Sequence, residues 1–241
     1  NKDDGYRAGV NFGSIHYETK AVRLPWEITE ETLRQNIEGE RFETTVTNLM
    51  TSQIGVDTED LLINGDEDTK PDDPDYDFLK LNDGIKKLIT NGGHIVDVQG
   101  AKEMEMFYKA VASVPNRFNN GNLRWLMSPT RAQQWELFLL NKVLNQGGVV
   151  PEELYKSPVA IPSMQVPNLS DDVVILCEPR NIIEVNTYTI KIRKDATSKD
   201  AIMQDKRFYV VHFDFDTLIE ELDATAIITG LPGYNFENIS M

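Results

Sequence analysis

The side chains best suited to nucleophilic, acid–base or metal chemistry are few in this sequence: three histidines and one cysteine. The histidines, His16, His94 and His212, are scattered along the chain without a consistent partner, so they do not form a metal-ligand pattern. Cys177 lies in the apolar run VVILCEP, and we expect it to be a small buried residue rather than a nucleophile. A single cysteine also excludes an internal disulfide.

Acidic side chains are the other candidates for chemistry. Asp214 and Asp216 alternate along a predicted strand and therefore point to one face, where they could act as acids or metal ligands. We favour a solvated strand face for this pair. The acid-rich stretch Asp66–Asp77 contains Pro71 and Pro74 and does not fit the spacing of an EF-hand calcium loop. It is predicted to be a solvated loop.

No established catalytic motif is present in the sequence. It has no glycine-rich phosphate loop of the P-loop or dinucleotide-binding type, no HExxH or CxxC pair and no GxSxG elbow. We therefore predict no catalytic residue, no cofactor and no metal. An acidic α+β enzyme with a site of unfamiliar pattern is kept as an alternative.

Composition points to a globular and acidic protein. The 241 residues carry 39 acids against 24 bases, a net charge of −15, and 40% of them are hydrophobic. This balance disfavours sequence-independent binding to phosphates. Lys191, Arg193 and Lys194 could form a local basic patch, although a solvated strand face is the preferred interpretation. No apolar stretch approaches the length of a membrane-spanning helix, so no membrane association is predicted.

The first part of the chain combines an extended segment with a long helix. Residues 1–26 alternate in places between apolar and polar side chains and have no obvious partner nearby, which is typical of an arm or a hairpin limb. Thr29 is a good N-cap for a helix that we predict to extend to Ile54, with a bend at Gly39. Its apolar stripe consists of Phe42, Val46, Leu49, Met50 and Ile54.

The second half of the chain is rich in predicted strands. A strand at Leu123–Met127 is followed by Ser128 as an N-cap and Pro129 at the first position of a helix. Lys194–Asp205 has the composition of a flexible loop. Six further strands are predicted, near Val159–Ile161, Val173–Cys177, Ile182–Val185, Thr187–Ile192, Phe208–Phe215 and Ala224–Ile228. The last two need cover from a distant part of the chain or from other chains.

The order of these segments resembles a known family. SIHYETKAVRLPWEITEETLRQNIEGERFETTVTNLM is similar to the return limb of an extended E-loop followed by a spine helix. LRWLMSPTRAQQWELF, YKSPVAIPSMQVPNL and VVILCEPRNIIEVNTYTIKIRKD follow in the order of the corresponding motifs. The family is that of the major capsid proteins of tailed bacteriophages, whose Hong Kong 97 fold is shared with encapsulins. The segment YKSPV lacks the glycine that usually precedes it in the family.

The resemblance implies an α+β phage capsid fold with an E-loop limb, a long spine helix, a peripheral domain and an axial domain. We assign 1–26 to the arm or E-loop limb, 27–121 to the peripheral domain with the spine helix, 122–206 to the axial domain and 207–241 to return strands that complete the peripheral domain. The chain begins with Asn1, and the family's N-terminal arm and outgoing E-loop limb have no counterpart here. We therefore expect a processed or partial chain.

The resemblance also implies a structural function in the virion. Hexamers and pentamers of the chain would form an icosahedral head, assembled in the cytoplasm of the bacterial host with scaffold and portal proteins. The head would enclose double-stranded DNA without sequence-specific binding. An encapsulin-like protein compartment is the alternative on the same fold. Intersubunit contacts are expected from the leading segment and the start of the spine helix, at Phe12, Ile15, Tyr17, Lys20, Val22, Leu24, Trp26 and Arg41.

Overall fold

A computed structural model describes residues 14–36, 40–99, 103–146, 157–187 and 190–232. These residues form two β-sheets with helices packed on them. The strands are β1 Lys20–Thr29, β2 His94–Asp97, β3 Arg124–Met127, β4 Ser163–Gln165, β5 Val174–Cys177, β6 Ile182–Val185, β7 Lys191–Asp195, β8 Lys206–Ile219 and β9 Ala226–Thr229. The helices are α1 Glu30–Gln35, α2 Glu40–Asn64, α3 Tyr76–Leu79, α4 Ile85–Gly92, α5 Glu103–Ser113, α6 Pro129–Gln146 and α7 Lys199–Gln204.

The long strand β8 organises a four-stranded sheet. Along one edge it pairs antiparallel with all of β1, from Lys20 opposite Phe215 to Thr29 opposite Lys206. The hairpin partner β7 pairs with the first half of β8, and β6 pairs with its last residues. The sheet therefore joins the beginning of the described chain to a strand nearly two hundred residues later.

Helix α2 covers one face of this sheet. Tyr209, Val211, Phe213 and Phe215 of β8 alternate toward the helix, because successive side chains of a strand point to opposite faces. The indole of Trp26 stacks on the Tyr209 ring with 5.3 Å between ring centroids. The cluster is completed by further apolar side chains of β1, α2 and the segment after it, among them Ile28, Phe42, Val46, Met50, Ile54, Leu61 and Phe78.

The predicted long helix consists of two helices. Thr29 caps α1 as predicted, since its side-chain oxygen accepts the Thr32 backbone N–H at 3.2 Å. Asn36 is extended and ends α1, whereas Gly39 lies outside the described residues. The predicted end at Ile54 was wrong, because α2 continues to Asn64. In the additional turns Leu61 and Ile63 are buried and Glu59 is exposed, whereas Asp57 and Asp60 are half-buried.

The second sheet is buried on both faces. Its five strands follow the order β2-β9-β5-β3-β4, with parallel pairing at both ends and antiparallel pairing in the middle. Helices α5 and α6 cover one face, and α4 with the end of α2 covers the other. Burial on both sides explains why β5 is a continuous apolar run rather than an alternating one.

Distant parts of the same chain cover both late strands, since β8 pairs with β1 and β9 with β2 and β5. Strands β6 and β7, in the part of the chain that we assigned to the axial domain, pair with β8 instead of the five-stranded sheet. The domain boundaries themselves stay a prediction. In the part of the chain that the structure describes, no helix has both the length and the apolar character to cross a bilayer.

Candidate assembly surfaces

The two carboxylates of β8 are structural anchors. Asp214 and Asp216 are only 5% and 8% exposed, so the prediction of a solvated strand face was wrong. Asp216 accepts the backbone N–H of Glu18 at 2.7 Å and that of Thr217 at 2.8 Å. Asp214 accepts the backbone N–H of Thr187 at 2.9 Å. The pair thereby holds one segment before β1 and another between β6 and β7.

The cysteine and the histidines do not form a reactive centre. Cys177 is fully buried in β5, and this burial raises the pKa of its thiol to about 12, which keeps it protonated and unreactive. His16 is exposed before β1, His94 lies on the edge strand β2, and His212 is half-buried on β8. Among the described residues, no three histidine, cysteine or acidic side chains come close enough together to hold a metal ion.

A cleft of about 390 Å³ lies between α5, α6 and the end of β9. Its described lining is mostly apolar, with Phe107, Trp135 and Phe138 among it, and its polar members are Gln99, Arg131 and Gln134. The Arg131 guanidinium donates to the Asp171 carbonyl, with Nε at 2.9 Å, and to the Pro232 carbonyl at 2.8 Å. General acid–base catalysis needs a titratable pair, and the described lining supplies none.

An ionic cluster ties the four-stranded sheet to the start of the helices. Arg207 of β8 donates to Glu30 of α1 at 2.5 Å and to Glu43 of α2 at 2.6 Å, and Lys194 of β7 also pairs with Glu43. The hydrogen bond from Arg207 lowers the pKa of Glu30. Burial raises the pKa of Glu43, but its hydrogen bond to Lys194 and the charges of Lys194 and Arg207 outweigh this effect and lower the pKa below its ordinary value.

The predicted contact residues divide into outward-facing and inward-facing groups. Ile15 and Tyr17 precede β1 and are 48% and 57% exposed, so this short segment carries two exposed large apolar side chains close together. Arg41 is exposed on the first turn of α2, and Lys20 is half-buried at the start of β1. Phe12 lies outside the described residues.

The other three predicted residues face the interior of the chain. Trp26 is buried against Tyr209, and Val22 and Leu24 pack partly against the same cluster. These side chains hold β1 in place within the subunit. Whether they also contact a neighbouring subunit stays a prediction.

Sequence reasoning missed several exposed apolar side chains. Leu49 was placed on the buried stripe of the long helix but is 66% exposed, since it lies about 100° around the helix from Met50. Ile202 and Met203 are exposed on α7, inside the stretch predicted to be a flexible loop. The N-cap Ser198, which accepts the Ala201 N–H at 3.2 Å, was the available signal for this helix.

The comparisons with known proteins find similarity to phage capsid proteins. No family model matches the chain. It is 28% identical over 230 residues to YqbE of Bacillus subtilis (strain 168), named as a prophage capsid protein, a match that covers 89% of this chain and 70% of the relative. A chain of the satellite phage P4 procapsid superimposes with a TM-score of 0.67 at 13% identity, covering 98% of this chain and 79% of that one. The capsid of an empty GTA particle gives 0.65 at 8% identity, covering 94% and 79%.

The structural matches establish the fold, since they cover nearly the whole described architecture from β1 to β9. The sequence match to a prophage capsid protein agrees with this fold. The predicted α+β capsid architecture is confirmed. The chain therefore has the Hong Kong 97 fold, as the sequence predicted, and its sequence is similar to that of a prophage capsid protein.

Proposed function

We propose that this chain assembles into hexamers and pentamers, which close into the icosahedral head of a phage or prophage. The head encloses double-stranded DNA without sequence-specific binding, and scaffold and portal proteins take part in its assembly in the host cytoplasm. The observation that carries this proposal is the exposed apolar segment ahead of β1, with Ile15 and Tyr17, on a chain of the capsid fold.

Association of such surfaces has a simple driving force. Removing apolar surface from water contributes roughly 25 cal/mol for each Å², so two or three large side chains supply a few kcal/mol per contact. Each subunit of a closed shell makes the same contact with its neighbours, so many modest contacts together give a strong overall association. Ile15 and Tyr17 belong to none of the three buried clusters, so they are free to serve this purpose.

We assign the parts of the capsid subunit as follows. Helix α2 corresponds to the spine helix, residues 1–26 to the arm or a limb of the E-loop, and β8 to a return strand that completes the peripheral domain. The sequence-based boundaries 1–26, 27–121, 122–206 and 207–241 remain the proposed division of the chain. The position of α2 against β8 supports the assignment of the spine.

We propose further that the chain is not an enzyme. Support comes from the buried and unreactive Cys177, from the use of Asp214 and Asp216 as backbone anchors, and from the lining of the described cleft. Cys177, Asp214 and Asp216 therefore each have a structural explanation. The chain then acts through the surfaces by which its subunits associate.

Purification of the expressed chain, followed by light scattering and negative-stain microscopy, tests the proposal. We expect capsomers and megadalton shells, whereas an enzyme of this fold class would remain a small oligomer. The content of the shells separates the two uses of the fold: a phage head packages nuclease-protected double-stranded DNA when coexpressed with its packaging proteins. An encapsulin-like compartment would instead retain a protein cargo.

A pair of matched variants tests the leading segment directly. Tyr17→Ser and Tyr108→Ser remove two tyrosines of similar exposure, one before β1 and one on α5. We expect Tyr17→Ser to reduce the yield of shells at least tenfold without changing the near-ultraviolet circular dichroism of the subunit. Equal losses in both variants would show that the leading segment has no special part in assembly.

A further inference from the structure

The face of the four-stranded sheet opposite α2 has an unusual distribution of charge. We call it the outer sheet face, formed by the side chains of β1, β8 and β7 that point away from the helix. Directly opposed residues of antiparallel strands project to the same side, so the register fixes its rows. Arg23, His212 and Lys191 form one row across the three strands.

This row places two cations on either side of a histidine, and the buried Asp214 and Asp216 follow His212 on the same side of β8. Arg23 lies on β1 and Lys191 on β7, on opposite sides of β8, so the two cations are not direct cross-strand neighbours. Arg23, Lys191 and the nearby Arg193 are exposed, and none of them forms an ion pair with another described residue. Lys194, by contrast, points to the opposite face and pairs with Glu43. Lys191, Arg193 and Lys194 therefore do not share one face, and Lys191 and Arg193 are exposed, as the preferred interpretation of a solvated strand face expects.

The next row is apolar in its centre. Pro25, Val210 and Arg193 lie side by side, and Phe208 follows on β8. Val210 and Phe208 are only half-buried and belong to none of the three hydrophobic clusters. A groove of about 780 Å³ runs along this part of the sheet. The groove has an apolar floor, and its charged lining is mixed, with Arg193 and Lys194 beside Glu27 and Asp195. An apolar centre with a polar rim is the composition of an interaction surface.

The acids at the far end of this face are already engaged. Glu27 pairs with Lys206 at 2.5 Å, and Asp195 accepts the backbone N–H groups of Thr197 and Ser198 at 3.1 and 3.0 Å. Asp195 keeps its negative charge, because its partners are neutral, but neither acid forms an ion pair with Arg23, Lys191 or Arg193. The unpaired positive charge is therefore concentrated at Arg23, Lys191 and Arg193, in a chain whose net charge is −15.

The same chain carries a complementary segment. In the loop Asp66–Asp77, Lys87 neutralises Asp66 and Asp68, and Lys80 neutralises Asp77. Three further aspartates are exposed and form no ion pair with any described residue: Asp72, Asp73 and Asp75. Pro71 and Pro74 restrict the backbone around them, which lowers the entropy lost when such a loop binds.

The acidic loop cannot reach the outer sheet face of its own subunit. Phe78 and Leu81, just after the loop, pack in the cluster between α2 and the sheet, so the loop lies on the α2 side. The sheet itself separates the two surfaces. A contact between them must join different copies of the chain, as a head-to-tail interface of the kind that closes rings.

We propose that the outer sheet face binds the acidic loop of a second copy of this chain, with Arg23, Lys191 and Arg193 facing Asp72, Asp73 and Asp75. This inference rests on the proposed assembly into capsomers and supplies a contact for it. Nucleic acid is the less favoured occupant. An apolar floor does not bind phosphates, and the negative net charge of the chain repels them.

Charge reversal on both sides tests the contact. Arg23→Glu with Arg193→Glu should lower the fraction of associated subunits at least tenfold in sedimentation velocity, and so should Asp72→Lys with Asp73→Lys. The quadruple variant, which exchanges the charges, should recover association to within about twofold of the wild type. Lys109→Glu with Arg180→Glu is the control, since it changes the net charge equally at exposed positions elsewhere and should leave association intact.

Each outcome decides the question. Full association of the Arg23→Glu/Arg193→Glu chain, or a quadruple variant that stays folded but does not recover, overturns the contact while intact shells keep the proposed function. If the quadruple variant recovers association but the capsomers never close into shells, the contact is supported and the proposed shell is overturned. A wild-type chain that remains monomeric at all concentrations overturns both. Loss of salt-sensitive DNA binding in Arg23→Glu/Arg193→Glu, with association unchanged, identifies nucleic acid as the occupant and overturns the proposal.

Discussion

Asp216 shows how a charged residue inside a strand can have a purely structural role. Its two carboxylate oxygens accept the Glu18 and Thr217 N–H groups, so an asparagine would present an NH₂ group to one of these donors. We expect Asp216→Asn to lower the free energy of unfolding by about 1–3 kcal/mol, the range for an unsatisfied buried group. Denaturant titration of the dissociated subunit measures this change.

Asp172→Asn provides the control for this substitution. Asp172 is exposed, and its side chain has no described partner, so the same chemical change should cost less than about 0.5 kcal/mol. Hydrogen exchange gives a second readout, because the Glu18 amide should lose protection in Asp216→Asn alone. Equal stability of the two variants would mean that Asp216 does not anchor the leading segment.

The ionic cluster at Arg207 predicts a dependence of stability on pH. Glu30 and Glu43 have lowered pKa values in the folded chain, so their contribution is present above the ordinary glutamate pKa of 4.5. It is lost as the pH falls through the folded values. Arg207→Gln should therefore be less stable than the wild type at pH 7, and the difference should shrink at pH 3.

Denaturant midpoints of the two proteins at several pH values measure this effect. Arg180→Gln is a suitable control, because Arg180 is exposed and no described ion pair involves it. A constant difference between wild type and Arg207→Gln from pH 7 to pH 3 would assign the loss to packing of the arginine stem instead of to its charge.

Single residues were predictable from sequence where the signal is local. The apolar neighbours of Cys177 correctly indicated burial, and Thr29 and Ser128 were correctly predicted as N-caps, the latter bonding the Arg131 N–H at 3.1 Å. The environment of Asp214 and Asp216 was not predictable in this way. Their partners are backbone groups brought by distant segments, and such groups leave no mark in the sequence around the acids.

At the scale of elements, the cap of α1 is the sharpest prediction. This helix has only six residues, so it depends strongly on the bond from the Thr32 N–H to the Thr29 side chain. Thr29→Ala should lower the free energy of unfolding by about 1 kcal/mol. Thr51→Ala, within α2, should be neutral or slightly stabilising, because alanine is the better helix former. Thermal denaturation of both variants tests the contrast.

The elements were predictable in kind but less so in extent. The amphipathic pattern predicted a long helix, yet the extended backbone at Asn36 and the continuation of α2 to Asn64 depend on packing against β8 and the five-stranded sheet. Helix α7 was read as a loop, since its polar sequence resembles one and it has only six residues. Tertiary contacts override weak local preference in such short stretches.

At the scale of the whole molecule, the order of segments identified the fold before any pairing was known. The need of the last strands for distant partners was also evident from sequence. The partners themselves were not, because pairing over nearly two hundred residues depends on the complete arrangement of α2, β1 and β8. The outer sheet face follows from that pairing, so its row of Arg23, His212 and Lys191 could not be foreseen.

Two truncations distinguish the role of the first 29 residues in folding from their role in assembly. Removal of residues 1–17 leaves β1 complete and deletes the exposed Ile15 and Tyr17, so we expect a folded subunit that forms no shells. Removal of residues 1–29 deletes β1, exposes one edge of β8 and opens the cluster around Tyr209, so we expect an insoluble or unfolded chain. Circular dichroism reports folding, and electron microscopy reports shells. Shells formed by the chain that lacks residues 1–17 would show that assembly relies on other surfaces and does not need Ile15 or Tyr17.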